Sequence, residues 1–317
     1  MNTIEKAIRI LRSGGLVAMP TETVYGLAAD AKNPRALQCI FDAKKRPTNH
    51  PLIVHIAGID TINQWVKEIS PAAIRLANAF WPGPMTLIFP RADGVLDLVT
   101  GGQSTVGIRI PRHPIAQALL KGFGGGLAAP SANQYGRISP TSAADVRDEL
   151  GDAVDCILDG GSCDVGLEST IIDVSSDTLS ILRPGMITKE QIEAVVGHVL
   201  SEPIHNAPRV SGSAASHYAP LTPTRIVDSK ELSSFLREAT DSVAVLLHDM
   251  KPIQKDNIKC IRMSSDPAQY AHDLYHTLRQ LDQKQHQQIV VEAVPSDSSW
   301  DAIRDRLTRA TYNETDK

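Results

Sequence analysis

Hydroxyl, amide and cationic side chains collect at the ends of the predicted strands. Ligands bind to open α/β sheets where strands end, so these side chains are candidates for a functional site. Because arginine and lysine bind phosphates and carboxylates, the set predicts a cleft for a phosphorylated or carboxylated ligand. The segments are Pro20–Gly26, Ala128–Asn133 and Arg183–Gly185 after strands, Glu168–Thr170 before a strand, Arg109 at a strand end, and Lys44–Arg46 after a helix.

Each of these segments also has a purely structural interpretation. Threonine and serine in turns bond to their own backbone, and Lys44–Arg46 could complement the C-terminus of a helix. The phosphate-binding motif G-x-x-x-x-G-K-[ST] does not occur in the chain. The residues alone therefore indicate an anionic ligand and leave the reaction open.

Helices and strands alternate through the first 187 residues. The spacing of apolar and capping residues predicts helices that begin near Thr3, Asn33, Ser70, Pro114, Thr141 and Thr188. Strands are predicted at 16–19, 52–56, 85–90, 105–110, 126–129, 154–158, 169–174 and 178–183. This alternation is typical of an α/β fold.

A change of composition divides the chain. Residues 198–222 are rich in proline and small residues and have little periodicity, which is typical of a linker. After them, strands at 224–228, 243–247 and 288–293 alternate with helices near 230–239, 267–281 and 299–311. We therefore expect a first domain at 1–197, a linker at 198–222 and a smaller α/β domain at 223–317.

The charge balance argues against one class of function. Lysine and arginine number 32 against 36 aspartates and glutamates, a net charge of −4, and neither half of the chain is basic. A protein that grips nucleic acid through phosphates needs at least one basic face, and the 14 aromatic residues leave little for base stacking. Any RNA binding should be weak, and nucleotide chemistry should belong to a local pocket.

Three features predict a cytoplasmic protein that does not associate with membranes. No uncharged run exceeds 15 residues, whereas a membrane-spanning helix needs about 20 apolar residues. The N-terminal segment leads into an amphipathic helix without the apolar core of a signal peptide. The four cysteines show no C-x-x-C spacing, so we expect buried thiols in a reducing compartment and no zinc site.

In six ordered blocks, the sequence resembles the L-threonylcarbamoyladenylate synthases with a YrdC-like domain. The blocks are 16–29 (LVAMPTETVYGLAA), 41–56 (FDAKKRPTNHPLIVHI), 81–87 (WPGPMTL), 105–111 (TVGIRIP), 128–133 (AAPSAN) and 167–172 (LESTII). The Sua-type C-terminal domain of the long form covers 223–313, preceded by the linker motif HYAP at 217–220. The resemblance implies a YrdC-like twisted open-sheet catalytic domain and a smaller Rossmann-like α/β domain.

The resemblance implies a nucleotidyltransferase that joins L-threonine, bicarbonate and ATP into threonylcarbamoyl-AMP and releases pyrophosphate. Mg²⁺ would arrive on the ATP phosphates, so no metal ligands are expected in the protein. The product would pass to the tRNA threonylcarbamoyl-transferase machinery, which modifies the adenosine beside the anticodon. The linker and second domain would close over the cleft and keep water from a labile mixed anhydride.

The resemblance also assigns roles to residues that match the family motifs. Lys44 and Arg46 of the K-x-R signature and Ser131 and Asn133 of the S-x-N signature would be catalytic. The L-threonine pocket would comprise Thr23, His55, Arg109, the backbone of Ala129, and Ser169. ATP would contact Arg46, His50, Thr105, Ser131, Ser139 and Arg183. Either His55 or the fixed cations would bind the carboxylate that forms when threonine takes up CO2.

The chain departs from the family pattern at two positions. Many members have Asn where this chain has His50, but an imidazole still donates one hydrogen bond, so we expect the ATP contact to survive. Some members place a Tyr two residues before the His of HYAP, where this chain has Ala215. Tyr218 is the candidate to supply the corresponding lid contact.

Two other functions are weighed against this one. YrdC-like domains have been linked to RNA, so the alternative is a double-stranded RNA-binding module without this catalysis, which the charge balance disfavours. A third hypothesis is carbamoyl transfer to another acceptor. The zinc-finger and acylphosphatase-like segments that accompany the domain in a carbamoylating maturation enzyme do not occur in this sequence, which weakens that hypothesis.

Overall fold

The computed structural model describes residues 3–203, 206–284 and 286–312. By its internal contacts the chain forms two units. The first comprises the chain up to Tyr135 together with Ser139–Ser213, and the second comprises Gly136–Ile138 together with the chain from Ala214 onward. The domain boundaries at 197 and 222 stay predictions. A tripeptide from the middle of the first predicted domain thus belongs to the second unit, which no local pattern in the sequence indicates.

Most of the predicted helices begin at or next to the expected residue because capping side chains fix their first turns, whereas the short helix α4 (Asp97–Thr100) was not predicted. Asn33 accepts the backbone N–H groups of Arg35 and Ala36, and Thr188 forms a capping box with Gln191. The helices are α1 (Thr3–Arg12), α2 (Pro34–Lys44), α3 (Pro71–Phe80), α4 (Asp97–Thr100), α5 (Pro114–Phe123), α6 (Ala143–Leu150), α7 (Lys189–Val196), α8 (Ser229–Glu238), α9 (Pro267–Asp282) and α10 (Asp301–Ala310).

The predicted strands are present, and two further strands join them. The additional strands are β2 (Gly26–Asp30) and β12 (Ile258–Arg262). The strands are β1 (Val17–Met19), β2 (Gly26–Asp30), β3 (Ile53–His55), β4 (Met85–Pro90), β5 (Thr105–Arg109), β6 (Leu127–Ala128), β7 (Cys156–Ile157), β8 (Thr170–Asp173), β9 (Ser180–Arg183), β10 (Thr224–Val227), β11 (Val243–Leu247), β12 (Ile258–Arg262) and β13 (Gln288–Glu292).

The order of the strands determines which distant residues become neighbours. The first unit is built on a mixed sheet in the order β7-β1-β2-β6-β3-β5-β4-β8-β9, and the second on a sheet in the order β10-β13-β11-β12. All pairs in the second sheet are parallel. In the first sheet, parallel pairing of β3 with β5 sets His55 opposite Arg109. The expected combination of two α/β folds, one with a large open sheet, is confirmed.

Both faces of the first sheet are covered, which fixes its central strands. Along β2, Leu27 and Ala29 belong to one apolar cluster, whereas Ala28 belongs to the cluster on the opposite face. This alternation follows from the two-residue period of a strand. The first unit therefore holds its central strand ends on a scaffold with little freedom to move.

Two expectations about composition can be compared with the structure. Cys163 is buried as expected, but Cys39 is exposed, because it lies on the outer face of α2. In the part of the chain that the structure describes, no helix is long and apolar enough to cross a membrane.

Candidate active site

Arg109 is the centre of a buried polar cluster at the end of β5. It is 4% exposed, and three of its nitrogens donate hydrogen bonds. Nη2 donates to Glu22 Oε1 at 2.8 Å, Nη1 to Thr23 Oγ1 at 2.8 Å, and Nε to the Gly83 carbonyl at 3.3 Å. Since a guanidinium carries five N–H groups, both terminal nitrogens keep a donor for a ligand carboxylate. The guanidinium is therefore held in one orientation, as a carboxylate receptor requires.

Glu22 holds Arg109 in place; it lies in the candidate segment Pro20–Gly26, but it had been given no role. It is 1% exposed, and its Oε2 accepts the backbone N–H of Arg112 at 3.0 Å. Burial alone would raise the pKa of Glu22, but attraction to Arg109 and the hydrogen bonds it accepts outweigh burial and lower that pKa. The available signal was its place in the PTETVYG segment, directly before Thr23.

His55 ends β3 beside Arg109, and its ring is neutral. Burial, together with the positive charge of Arg109, lowers the pKa of His55 to about 3. Its Nδ1 lies 3.3 Å from the carbonyl oxygen of Ile53. The positive charge at this point therefore lies on Arg109, while His55 offers a neutral hydrogen-bonding ring.

The neutral state of His55 makes the stability of the first unit depend on pH. An unfolded histidine titrates near pH 6.5, so between pH 6.5 and about 3 the unfolded chain binds a proton that the folded chain does not. We therefore expect the free energy of unfolding to decrease as the pH is lowered through this window, with His55 contributing about 1.4 kcal/mol per pH unit. Denaturant unfolding of wild type and His55→Gln at several pH values measures the difference. Identical pH slopes for the two proteins would contradict the assignment.

Ser169 and Arg183 are bonded to each other, Ser169 directly before β8 and Arg183 at the end of β9. Ser169 Oγ lies 2.8 Å from Thr86 Oγ1 and accepts from Arg183 Nη2 at 3.1 Å. Arg183 also donates from Nε and Nη2 to the backbone carbonyl of Ser169, at 3.1 and 2.9 Å. Arg183, which the resemblance assigns to ATP, thus holds Ser169, which it assigns to threonine. The amide of Ala129 donates to the Ile53 carbonyl, and a threonine contact there would fall to the Ala129 carbonyl.

The three consecutive cations at 44–46 do not form one patch. Lys45 adopts a left-handed conformation (φ 51°) at the end of α2 and is exposed, whereas Lys44 and Arg46 are buried. Lys44 Nζ donates to the backbone carbonyls of Ser131 and Asn133, both at 2.5 Å. Lys44 therefore fastens the S-x-N loop, and burial together with the charge of Arg46 holds its pKa well below the ordinary value.

Arg46 and His50 meet at one aromatic ring. The Arg46 guanidinium lies 5.9 Å from the Tyr135 ring centre and donates to the Pro51 carbonyl at 2.9 Å. His50 Nε2 lies 3.5 Å from the Tyr135 hydroxyl. Burial and the charge of Arg46 lower the pKa of His50, so its ring is neutral near pH 7. Tyr135 was not among the expected residues, although it follows the S-x-N signature by two positions.

A second acidic residue connects the ATP side to the threonine side. Ser139 Oγ donates to Glu168 Oε1 at 2.5 Å, and Glu168 directly precedes Ser169. Both Ser139 and Glu168 are buried. The structure therefore places Ser139, one of the residues expected to contact ATP, against the neighbour of Ser169, one of the residues expected to contact threonine.

A segment of the predicted linker packs against the sheet of the first unit. Arg209 N donates to Gln103 Oε1 at 2.7 Å, and Gln103 Nε2 donates back to the Arg209 carbonyl at 3.0 Å. Val210 is buried against Ile88, and 209–211 line a cavity together with Thr105. Residues 209–211 of the predicted linker therefore lie beside Thr105. Tyr218, proposed above for a lid contact, is instead buried within the second unit.

The described residues contain no group of three or more His, Cys, Asp or Glu side chains that could hold a metal ion. The charged groups of the cluster are mainly arginines. Such a set is suited to bind carboxylate and phosphate groups directly.

The chain resembles known proteins over nearly its whole length. Residues 9–185 match the family model described as Telomere recombination, and residues 187–311 match the one described as Threonylcarbamoyl-AMP synthase, C-terminal domain. The chain is 39% identical to the threonylcarbamoyl-AMP synthase of Bacillus subtilis, over 97% of this chain and 92% of that protein. It belongs to the threonylcarbamoyl-AMP synthase family.

Solved structures of threonylcarbamoyl-AMP synthase relatives show the same architecture. The threonylcarbamoyl-AMP synthase of Pyrococcus abyssi is 35% identical over 97% of this chain and 94% of that protein. The crystal structure of P. abyssi Sua5 complexed with L-threonine matches with a TM-score of 0.89, over 97% of this chain and 94% of that one. The family resemblance stated from six sequence blocks is confirmed.

Proposed function

We propose that this protein is a nucleotidyltransferase that forms L-threonylcarbamoyladenylate from L-threonine, bicarbonate and ATP and releases pyrophosphate. The observation that carries the proposal is the buried Arg109, held by Glu22 and Thr23 with donors left for a carboxylate. A relative that is 35% identical is described in complex with L-threonine. The product serves the threonylcarbamoyl modification of tRNA in the cytoplasm, through downstream transfer enzymes.

In the proposed reaction, Arg109 binds the threonine carboxylate and orients the amino group beside neutral His55. The threonine ammonium gives up a proton, which bicarbonate takes up as it releases water and CO2. The neutral amine then adds CO2 to form a carbamate, and the second proton passes to solvent, while the neutral His55 ring leaves the cations as the partners of the new negative charge. The carbamate oxygen then attacks the α-phosphorus of ATP, and negative charge builds on the equatorial oxygens and on the departing pyrophosphate. Arg46 and Arg183 stabilise that charge.

Orientation accounts for most of the rate in this scheme. Holding reactants in register removes about 7–11 kcal/mol of an entropic barrier, which agrees with a site that has fixed cations and no titrating acid–base pair. We propose that Lys44 acts through the loop it fastens, that Ser131, Asn133, Ser139, His50 and Thr105 contact ATP, and that Ser169 and Ala129 complete the threonine pocket. Mg²⁺ would arrive on the ATP phosphates.

The test is whether all three substrates are needed together. Pyrophosphate should form from ATP only when L-threonine and bicarbonate are both present, and an ATP analogue with a non-cleavable α,β bridge should bind without releasing it. ATP cleavage that is indifferent to threonine would overturn the proposal. The double-stranded RNA-binding alternative is not favoured by the relatives, and it predicts a steep salt-dependent RNA affinity that weakens on changing Arg46.

A further inference from the structure

Gly136, Arg137 and Ile138 lie in the loop between Asn133 and Ser139, yet they belong to the second unit. Peptide bonds join them directly to Tyr135 and Ser139 of the first unit. All three residues are hydrogen-bonded within the second unit. The Gly136 carbonyl accepts the N–H of Ala219 at 2.9 Å, Arg137 Nη2 donates to Asp282 Oδ2 at 3.0 Å, and the Ile138 carbonyl accepts from Arg279 Nη2 at 2.6 Å.

Asp282, the partner of Arg137, also accepts hydrogen bonds from the backbone outside the tripeptide. Its side chain is 8% exposed, and its oxygens also accept the backbone N–H groups of Leu221 at 2.9 Å and Thr222 at 2.7 Å. It ends α9, where the helix dipole disfavours a negative charge. Burial would raise the pKa of Asp282, but the bonds from Leu221 and Thr222 and the charge of Arg137 lower it. Asp282 is therefore a fixed carboxylate that receives Arg137.

The remainder of the loop is fastened within the first unit. Lys44 holds the carbonyls of Ser131 and Asn133 and accepts the N–H of Tyr135 on its own carbonyl at 2.8 Å. Beyond the tripeptide, Ser139 is bonded to Glu168. Gly136 has a φ of +82°, a conformation that side chains disfavour, and it lets the chain turn at this point. The tripeptide is thus the middle span of a loop whose two ends carry the ATP-side residues.

We propose that Asp282 is a positioning residue for ATP: by holding Arg137 it fixes the path of Gly136–Ile138, and thereby the placement of Asn133 and Ser139. The inference rests on the proposed function, which assigns this loop to the nucleotide. It gives the second unit a part in nucleotide binding that passes through the covalent chain. The hydrogen bonds that Arg109 makes to Glu22, Thr23 and Gly83 involve no residue of this loop, so we expect threonine binding to change less than ATP binding.

The test uses the full chain with Asp282→Asn, because asparagine keeps the shape but loses the charge and one acceptor oxygen. The KM for ATP should rise about tenfold, the usual scale for a lost hydrogen bond to a charged group. The dissociation constant for L-threonine, measured by calorimetry without ATP, should change less. Asp273→Asn is the matched control on the same helix, since Asp273 is 41% exposed and bonds only to near neighbours on α9.

Arg137 provides a second, milder set of variants. Arg137→Lys keeps the charge and should keep most of the ATP affinity, whereas Arg137→Met should match Asp282→Asn. Combining Arg137→Met with Asp282→Asn should be no worse than either alone, because both remove one interaction.

The possible outcomes separate this inference from the proposed function. Wild type that releases no pyrophosphate with all three substrates overturns both. Wild type that is active, together with Asp282→Asn and Arg137→Met variants that bind ATP like Asp273→Asn, overturns only the positioning role. Equal weakening of threonine and ATP in Arg137→Met also overturns it, since that would show a general loss of structure.

Discussion

Replacing Arg109 by alanine should remove most of the affinity for L-threonine and leave ATP binding nearly intact. The threonine carboxylate would enter a buried site without its charged partner, and truncating one member of such a pair costs about 2–5 kcal/mol. That loss corresponds to a roughly 30-fold to several thousand-fold rise in the dissociation constant. Calorimetric titration with L-threonine, and separately with a non-cleavable ATP analogue, measures both affinities.

Arg112→Ala is the matched control for this variant. The Arg112 side chain is 58% exposed and has only a 3.9 Å contact with Asp164. Its backbone N–H, which Glu22 accepts, is untouched by the substitution. Threonine affinity should therefore stay at the wild-type value. An Arg109→Ala protein that loses threonine and ATP equally would show that Arg109 does not define the threonine subsite.

Replacing Glu22 by alanine should destabilise the fold by about 3–5 kcal/mol, because it leaves the buried Arg109 without its counter-charge. Asp97→Ala removes an ion pair of similar length, Arg91 to Asp97 at 2.5 Å, but Asp97 is 76% exposed. That control should cost about 1 kcal/mol or less. Denaturant unfolding of the two variants compares a buried with an exposed pair directly.

Two further measurements test the role of Glu22: the stability of a double variant, and the dependence of stability on pH. Glu22→Ala combined with Arg109→Ala should cost less than the sum of the single changes, since no unpaired charge remains. Because folding lowers the pKa of Glu22 below its ordinary 4.5, its contribution is fully present above that value and is lost as pH falls through the lower folded one. Additive costs in the double variant would mean that the two side chains are not coupled.

Local signals in the sequence were sufficient for most of the secondary structure. The helices at Asn33, Ser70 and Thr188 have strong capping residues, and all three begin as predicted. Strand β2 was missed because GLAAD has no β-branched or aromatic residue, and its stability comes from burial at the centre of the sheet. Strand β12 (IKCIR) was missed because it does not alternate strictly, Cys260 and Ile261 being consecutive apolar residues.

The geometry of the site was harder to predict, because the candidate ligand-binding side chains are oriented by hydrogen bonds to other buried side chains. Family motifs pointed to Arg109 and Ser139, but not to Glu22 and Glu168, the carboxylates that orient them. A run of three cations suggested one patch, and only the backbone turn at Lys45 reveals that its neighbours face inward. Such pairings arise from strand order, which sequence spacing does not encode.

The placement of Gly136–Ile138 also limits how genes of this family can recombine. A chimaera that takes its second half from a relative would receive a foreign α9 while keeping its own Arg137. The new helix would then need an acceptor at the position of Asp282 and a donor at that of Arg279. Exchange of the second unit should therefore succeed only when residues 136–138 are exchanged with it.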